Sequence, residues 1–239
     1  MKFKTSISNS KNGEVFVRGQ KLTSLIGKAT FTDAVYLVLR GKKPSKNQSA
    51  MLDAILVSCI EHGVAAPSAF VPRVVASTGN DINVAIAAGA LTISDFHGGA
   101  IERAMEMLAQ KDSAKDIVAN ALSEGKRLSG LGHKVYKDAD PRAKALFAIA
   151  KKLKLSGKFV KKAQDIEGEL KKQKGTKLPI NIDGAIAALL CELGFDSKLG
   201  KAFFILGRMP GMMAHALEEM TNEKPYRRLG EDEVEYTGK

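Results

Sequence analysis

Apolar and polar residues change their rhythm once along this chain. The runs FKTSIS and EVFVRG flank Lys11-Asn12-Gly13, and Asn-Gly is the strongest two-residue hairpin signal, so residues 1–19 are predicted to form a short β-hairpin arm. After Val17 the apolar positions recur at helical spacing. Thr30 can cap a helix through Phe31, Ala34, Val35, Leu37 and Val38, with Asp33 as the acidic third residue and Gly41 as the stop. Ser45 opens another, running to about His62. Further helices are predicted at about 81–90, 99–110, 113–127, 141–155, 158–173, 183–193 and 197–221. The best signalled start is Asp140-Pro141, a capping carboxylate followed by proline at the first helical position. The fold class is therefore mainly α. No period of 20 to 50 residues repeats, which argues against a helical solenoid.

Composition narrows this picture. With 239 residues, 44% hydrophobic and 26% charged, the chain is an ordinary globule of one or two domains rather than a disordered or fibrous protein. Two cysteines, Cys59 and Cys191, exclude a disulfide framework or a four-cysteine zinc site and suit a reducing cytoplasm. No apolar run approaches the ~18 residues of a membrane span, and MKFKTSISNSKNG lacks the apolar core of a signal peptide. The net charge of +11 raises the question of a nucleic-acid partner. Residues 151–177 hold ten lysines against three acids, so most of that excess sits in one stretch. Phe159 is its single aromatic residue and it contains no arginine, a poor match to a stacking or bidentate nucleic-acid surface. A solvated lysine face on an amphipathic helix is expected instead, with no nucleic acid and no membrane as partner.

Three loops carry the candidate chemistry. His97 lies in SDFHGGAIE just ahead of a helix, His133 in the glycine-rich SGLGHKVYKDADPRA, and His62 at a helix end in IEHGVAAPSA. Glycine beside a histidine lets backbone approach a ligand closely and leaves amides free for phosphate or an oxyanion. His215, inside the apolar run MMAHALEEM, reads as a packed structural histidine. In LPINIDGAIAALL an extended piece hands Asp183 to the first turn of an apolar helix. The ordinary role for such an aspartate is the N-cap; the sharper one is a carboxylate at the edge of a cleft.

In this order HGGA, GLGHKVYKDADPRA and PINIDG resemble the three catalytic segments of the citrate synthase superfamily. The resemblance covers nearly the whole chain, from RGQKLTSLIGKATFTDAVYLVLRGKKPS to ILGRMPGMMAHALEE and RRLGEDEVEYTG. It implies a carbon–carbon bond made or broken between the methyl carbon of acetyl-CoA and the ketone carbon of oxaloacetate. Such a step needs a base for the methyl proton, a donor for the enolate oxygen and an acid for the carbonyl. The resemblance makes Asp183 the base, His97 the enolate donor and His133 the acid, with the proton transfers reversed in cleavage. It makes His62, Arg142 and Arg208 oxaloacetate ligands, and Arg227 or Arg228 one reaching in from a neighbouring subunit. Coenzyme A, part of the substrate rather than a tightly bound cofactor, would lie along Gly130, Leu131, Gly132 and Lys137, with Lys134 also possible. No metal is implied.

Departures from the family pattern point to one branch. Citrate synthases are much longer, and the missing piece falls between Ser45 and Met51. Around the first histidine they usually read HxDHE, whereas this chain reads Cys59-Ile60-Glu61-His62-Gly63, and Ile101 replaces the common asparagine after HGGA. Shortness and the HGxxxPSA form look like stand-alone citryl-CoA lyases and the C-terminal lyase module of ATP-citrate lyase. The expected activity is cleavage of citryl-CoA to acetyl-CoA and oxaloacetate, the alternative being a citrate or 2-methylcitrate synthase. No single residue decides between them, because both share the carbon–carbon step. The resemblance further implies a large domain of residues 20–97 and 184–239 enclosing a small domain of 98–183, whose closure assembles the site. It implies a homodimer or higher oligomer, and a separate citrate-activating protein.

Overall fold

The structure is a computed structural model that describes residues 2–133, 136–175 and 177–238. Three short antiparallel strands open it: β1 (Ser8–Lys11), β2 (Glu14–Val17) and β3 (Gln20–Lys21), in the order β1-β2-β3. Lys11 pairs with Glu14, so Asn12 and Gly13 form the turn, both with positive φ (52° and 75°), as a two-residue turn between right-twisted strands requires. Arg18 (φ 47°) and Gly19 (φ 76°) repeat the device, and Val17 pairs with Gln20 across them. That second turn builds β3, which the sequence pattern does not predict.

Helices follow: α1 (Leu22–Leu25), α2 (Phe31–Arg40), α3 (Lys46–Ser58), α4 (Pro67–Ser77), α5 (Ile82–Leu91), α6 (Gly99–Ala109), α7 (Ala114–Ser123), α8 (Pro141–Lys152), α9 (Lys158–Lys174), α10 (Ile182–Glu192) and α11 (Gly200–Asn222). Thr30 and Asp33 form the expected capping box of α2, and Gly41 ends it in the left-handed conformation (φ 72°). Asp140 caps α8 with Pro141 behind it. Two expectations are corrected. Helix α3 stops at Ser58, short of His62, where the carbonyl of Cys59 accepts from the buried Arg208 Nε (2.6 Å) and Glu61 takes the amides of His62 and Gly63 (2.8 and 2.6 Å). Helix α4 forms where no helix is predicted; Pro67 starts it, and the ring of the internal Pro72 packs against Gly89 of α5.

By packing, residues 1–57 with 100–200 form one compact unit and 58–99 with 201–239 a second. This differs from the grouping of 20–97 with 184–239 read from the sequence. Residues 20–57 join the first unit because Tyr36 donates its hydroxyl to the Leu193 carbonyl (3.1 Å) and packs edge-on against Phe195, while the Asn47 amide reaches the Leu153 carbonyl (2.9 Å). At the centre of that unit lies α10, buried without a break from Gly184 to Cys191. A helix apolar on every side belongs inside a core, and burying each of its leucine and isoleucine side chains contributes about 1.5–3 kcal/mol. Its first turn is thereby held in place.

The lysine-rich α9 buries one stripe, Val160, Ala163, Ile166 and Leu170, and turns most of its lysines to solvent, as expected of a solvated face. In the second unit small residues set the packing distance: Ala76 of α4, Ala85 of α5 and Ala216 of α11 form one buried cluster. No helix among the described residues is long and apolar enough to cross a membrane.

Candidate active site

In the first unit a glycine loop is strapped to the entry of α10. The Gly130 carbonyl accepts from Asn181 N (3.0 Å), Gly132 N donates to the Pro179 carbonyl (2.7 Å), and Asn181 Nδ2 donates to the Gly132 carbonyl (2.8 Å). Gly130 has φ 83°, and a Cβ on it would stand 2.6 Å from the Cα of Gly184. Only glycine at both positions allows this approach. The strap brings His133 and Asp183 into one neighbourhood. Asn181, not Asp183, caps α10, its Oδ1 accepting from Gly184 N (3.1 Å). Asp183 is therefore released from the ordinary role of such an aspartate.

Asp140 organises the rest of this cluster and was not singled out in sequence as anything but a cap. It is 1% exposed. Its Oδ1 accepts from Arg142 N (3.0 Å) and Nε (3.1 Å), and its Oδ2 from Arg142 NH2 (2.9 Å) and Ile182 N (3.0 Å). One carboxylate thus orients the Arg142 guanidinium by a fork and holds the first residue of α10 beside it. Burial works against the Asp140 charge, but the Arg142 bonds and backbone amides outweigh it and hold the group below its ordinary value. Asp183 is shifted the other way: burial raises it, the Arg142 and His133 charges oppose, and Asp140 adds to the rise. His133 accepts the Tyr136 amide at Nδ1 (3.2 Å), and its Nε2 lies 3.5 Å from Arg142 NH2.

Beside His133 lies a cavity of about 540 Å³ in the same unit, lined by Leu131, Gly132, Leu178, Lys126, Arg127 and Lys174 among others. Leu131 and Gly132 line this cavity, whereas Gly130 packs against Gly184. Lys137 is exposed, and Lys134 lies outside the described residues. Lys126, Arg127 and Lys174 escaped the sequence reading; clustered cations around a glycine loop were the available signal, but Lys174 enters from 42 residues beyond Gly132.

The second unit assembles His62, His97 and Arg208. His97 precedes α6 with its amide on the Ser94 carbonyl (3.0 Å), its Nε2 against Ser68 Oγ (2.8 Å) and its ring edge-on to Phe204. Gly98 must be glycine: its φ is 85° and a Cβ would meet Phe204 at 2.8 Å. The His62 ring stacks parallel to His97 with centroids 6.1 Å apart. Arg208, 2% exposed, gives Nε to Cys59 O, NH1 to His62 Nδ1 and a longer bond to Ser68 Oγ (3.4 Å). Burial and the Arg208 cation hold the His97 pKa below its ordinary value, favouring a neutral ring. Ser68, which bridges His97 and Arg208, was missed in sequence because it lies 29 residues from its partner.

Arg227 is engaged within its own chain, its Nε 2.6 Å from Glu219 and NH2 3.3 Å from Glu223, beside Arg73 on the same two carboxylates. Arg228 is exposed. Among the described residues no group of three or more His, Cys, Asp or Glu could hold a metal ion.

Residues 38–229 match the family described as citrate synthase, C-terminal domain. The chain belongs to the citrate synthase family. Within this family of enzymes it is 35% identical to citrate synthase 2 of Bacillus subtilis over 84% of its own length and 54% of that relative's. It thus spans about half the length of the curated citrate synthases it matches. A citryl-CoA lyase from Hydrogenobacter thermophilus superposes with a TM-score of 0.96 at 48% identity, over 99% of this chain and 95% of that one. The citrate synthase of Thermoplasma acidophilum, solved as a ternary complex with carboxymethyl coenzyme A and oxaloacetate, superposes at 0.71 with 27% identity, over 89% of this chain and 58% of that one.

Proposed function

We propose that this chain is a citryl-CoA lyase that cleaves citryl-CoA to acetyl-CoA and oxaloacetate. The observation that carries the reading is end-to-end similarity to the Hydrogenobacter lyase, which the chain covers almost entirely while spanning little more than half of the Thermoplasma synthase. In this reading His133 takes the proton of the citryl hydroxyl at Nε2. The bond between the carbinol carbon and the thioester methylene then breaks, its electron pair passing to the thioester as an enolate while the carbinol becomes the ketone of oxaloacetate. His97, neutral, donates a hydrogen bond to the enolate oxygen. Asp183, whose protonated form burial favours, gives its proton to the enolate carbon to yield acetyl-CoA. Cleavage starts from the His133 tautomer with the proton on Nδ1, so the Tyr136 amide contact is given up at that point.

Arg142, already oriented by Asp140, is read as a carboxylate ligand of the oxaloacetate half, with His62 and Arg208. Arg227 or Arg228 stays a candidate for a neighbouring subunit's site. Lys126, Arg127 and Lys174 suit the phosphates of coenzyme A, with Leu131 and Gly132 beside them and Lys137 close in sequence. We read the chain as a cytoplasmic homo-oligomer supplied with citryl-CoA by a separate citrate-activating protein. The oligomer is supported by Phe70, Val74, Leu217 and Met220, all exposed on α4 and α11, and by Leu91, 83% exposed at the end of the mostly apolar α5.

A synthase is the second reading, favoured by the curated citrate synthases among its relatives. The test is to supply acetyl-CoA and oxaloacetate and follow free coenzyme A with a thiol reagent. A lyase releases none in sustained fashion; continuous release identifies the synthase.

A further inference from the structure

Glu61 and His215 stand outside the roles given above, yet they grip the residue that does carry one. The Glu61 carboxylate accepts the amides of His62 (2.8 Å) and Gly63 (2.6 Å) through Oε1, and its Oε2 faces His215 Nε2 at 3.4 Å. The opposite side of the turn is fixed by Arg208, which donates to His62 Nδ1 and to the Cys59 carbonyl. His215 sits on α11 one helical turn beyond Gly211. A Cβ on Gly211 would stand 2.6 Å from the Ile60 carbonyl and collide with Glu61 Oε2. Glycine inside a helix is destabilising relative to alanine, so a glycine facing this carboxylate reads as space kept for it.

We propose that Glu61 and His215 are positioning residues for the oxaloacetate half of the substrate: together they fix the His62–Gly63 turn so that His62 keeps its proton on Nε2, with Nδ1 committed to Arg208. The proposal rests on the reading of His62 as an oxaloacetate ligand, but its physical core does not. His215 works at one remove. Its loss removes the Glu61 partner on α11, the turn gains freedom, and the His62 ring no longer holds one tautomer and one direction.

Two measurements on the full-length chain test this. Nitrogen-15 spectra of the histidine rings read the His62 tautomer without reference to activity: wild type is expected to show the Nε2–H form alone, and His215→Leu a mixture of both. Oxaloacetate titrated calorimetrically is expected to bind about tenfold more weakly to His215→Leu, the loss of one well-placed hydrogen bond, with coenzyme A binding unchanged. His215→Gln, whose amide can still donate to Glu61, should recover most of that affinity. Gly211→Ala, which displaces Glu61 without removing a charge, should weaken oxaloacetate binding as the leucine variant does. Unchanged tautomer in a folded His215→Leu protein overturns the proposal. A changed tautomer with no oxaloacetate binding even in wild type overturns the functional reading instead.

Discussion

Replacing Asp140 by asparagine removes the charge of a buried carboxylate while keeping its size and its capping oxygen. The amide can still accept from Arg142 N and Nε through Oδ1, but the NH2 that replaces Oδ2 now faces two donors, Arg142 NH2 (2.9 Å) and Ile182 N (3.0 Å). Stranding the Ile182 amide costs about 1–3 kcal/mol. The lost charge-assisted bond adds about 1 kcal/mol, discounted because the Arg142 side chain is 36% exposed. A total of about 2–4 kcal/mol corresponds to a fall in melting temperature of about 5–15 °C for a chain of this size. Activity should fall further than stability, because Arg142 and the first turn carrying Asp183 both lose their anchor; a misplacement of ~1 Å costs about a hundredfold. Scanning calorimetry and citryl-CoA turnover read the two effects separately. The pH dependence supplies a sign check: the Asp140 pKa is depressed on folding, so its contribution is complete above the ordinary carboxylate value of about 4 and is lost as pH falls below it. The stability gap between wild type and Asp140→Asn should therefore be full at pH 7 and close in acid. A variant that melts within about 2 °C of wild type and turns over within about threefold would refute the reasoning.

Other expectations follow from the same geometry. Asp183 carries a raised pKa, so its ionisation opposes folding at neutral pH; Asp183→Asn should lose at least about a hundredfold in turnover while melting no lower than wild type, checked by calorimetry beside the kinetic assay. Ser68→Ala removes the partner of His97 Nε2 and should lower kcat about tenfold. His97 itself should remain neutral below its ordinary value of about 6.5, which proton NMR titration of its ring can follow. Neutralising Lys126 and Lys174 to glutamine should raise KM for the thioester and flatten its dependence on salt, with kcat little changed.

Legibility in the sequence tracked how local the physics is. The Asn12-Gly13 turn, the Thr30–Asp33 box and the Asp140-Pro141 start depend on neighbours a few residues away, and each forms as read. Helix α4 carries an internal Pro72, a residue that disfavours helix, and the Gly89 its ring packs against is 17 residues downstream. The sequence suggested Asp183 as the ordinary cap of α10, but Asn181, held by the Gly130 strap, takes that role. The histidine loops, with Arg142 and Arg208, were legible as candidates. Their supports were not: Ser68, Glu61 and the second face of Asp140 acquire meaning only from residues 29 to 154 positions away. The lysine stretch shows the converse, a conspicuous composition explained by one buried stripe of α9.

The central claim is that the chain breaks citryl-CoA without hydrolysing its thioester. Purified protein incubated with citryl-CoA, with products separated by chromatography, tests it directly. The account predicts acetyl-CoA and oxaloacetate in equal amounts, abolished in Asp183→Asn. Free coenzyme A with citrate as the products, or turnover that survives Asp183→Asn, would contradict it.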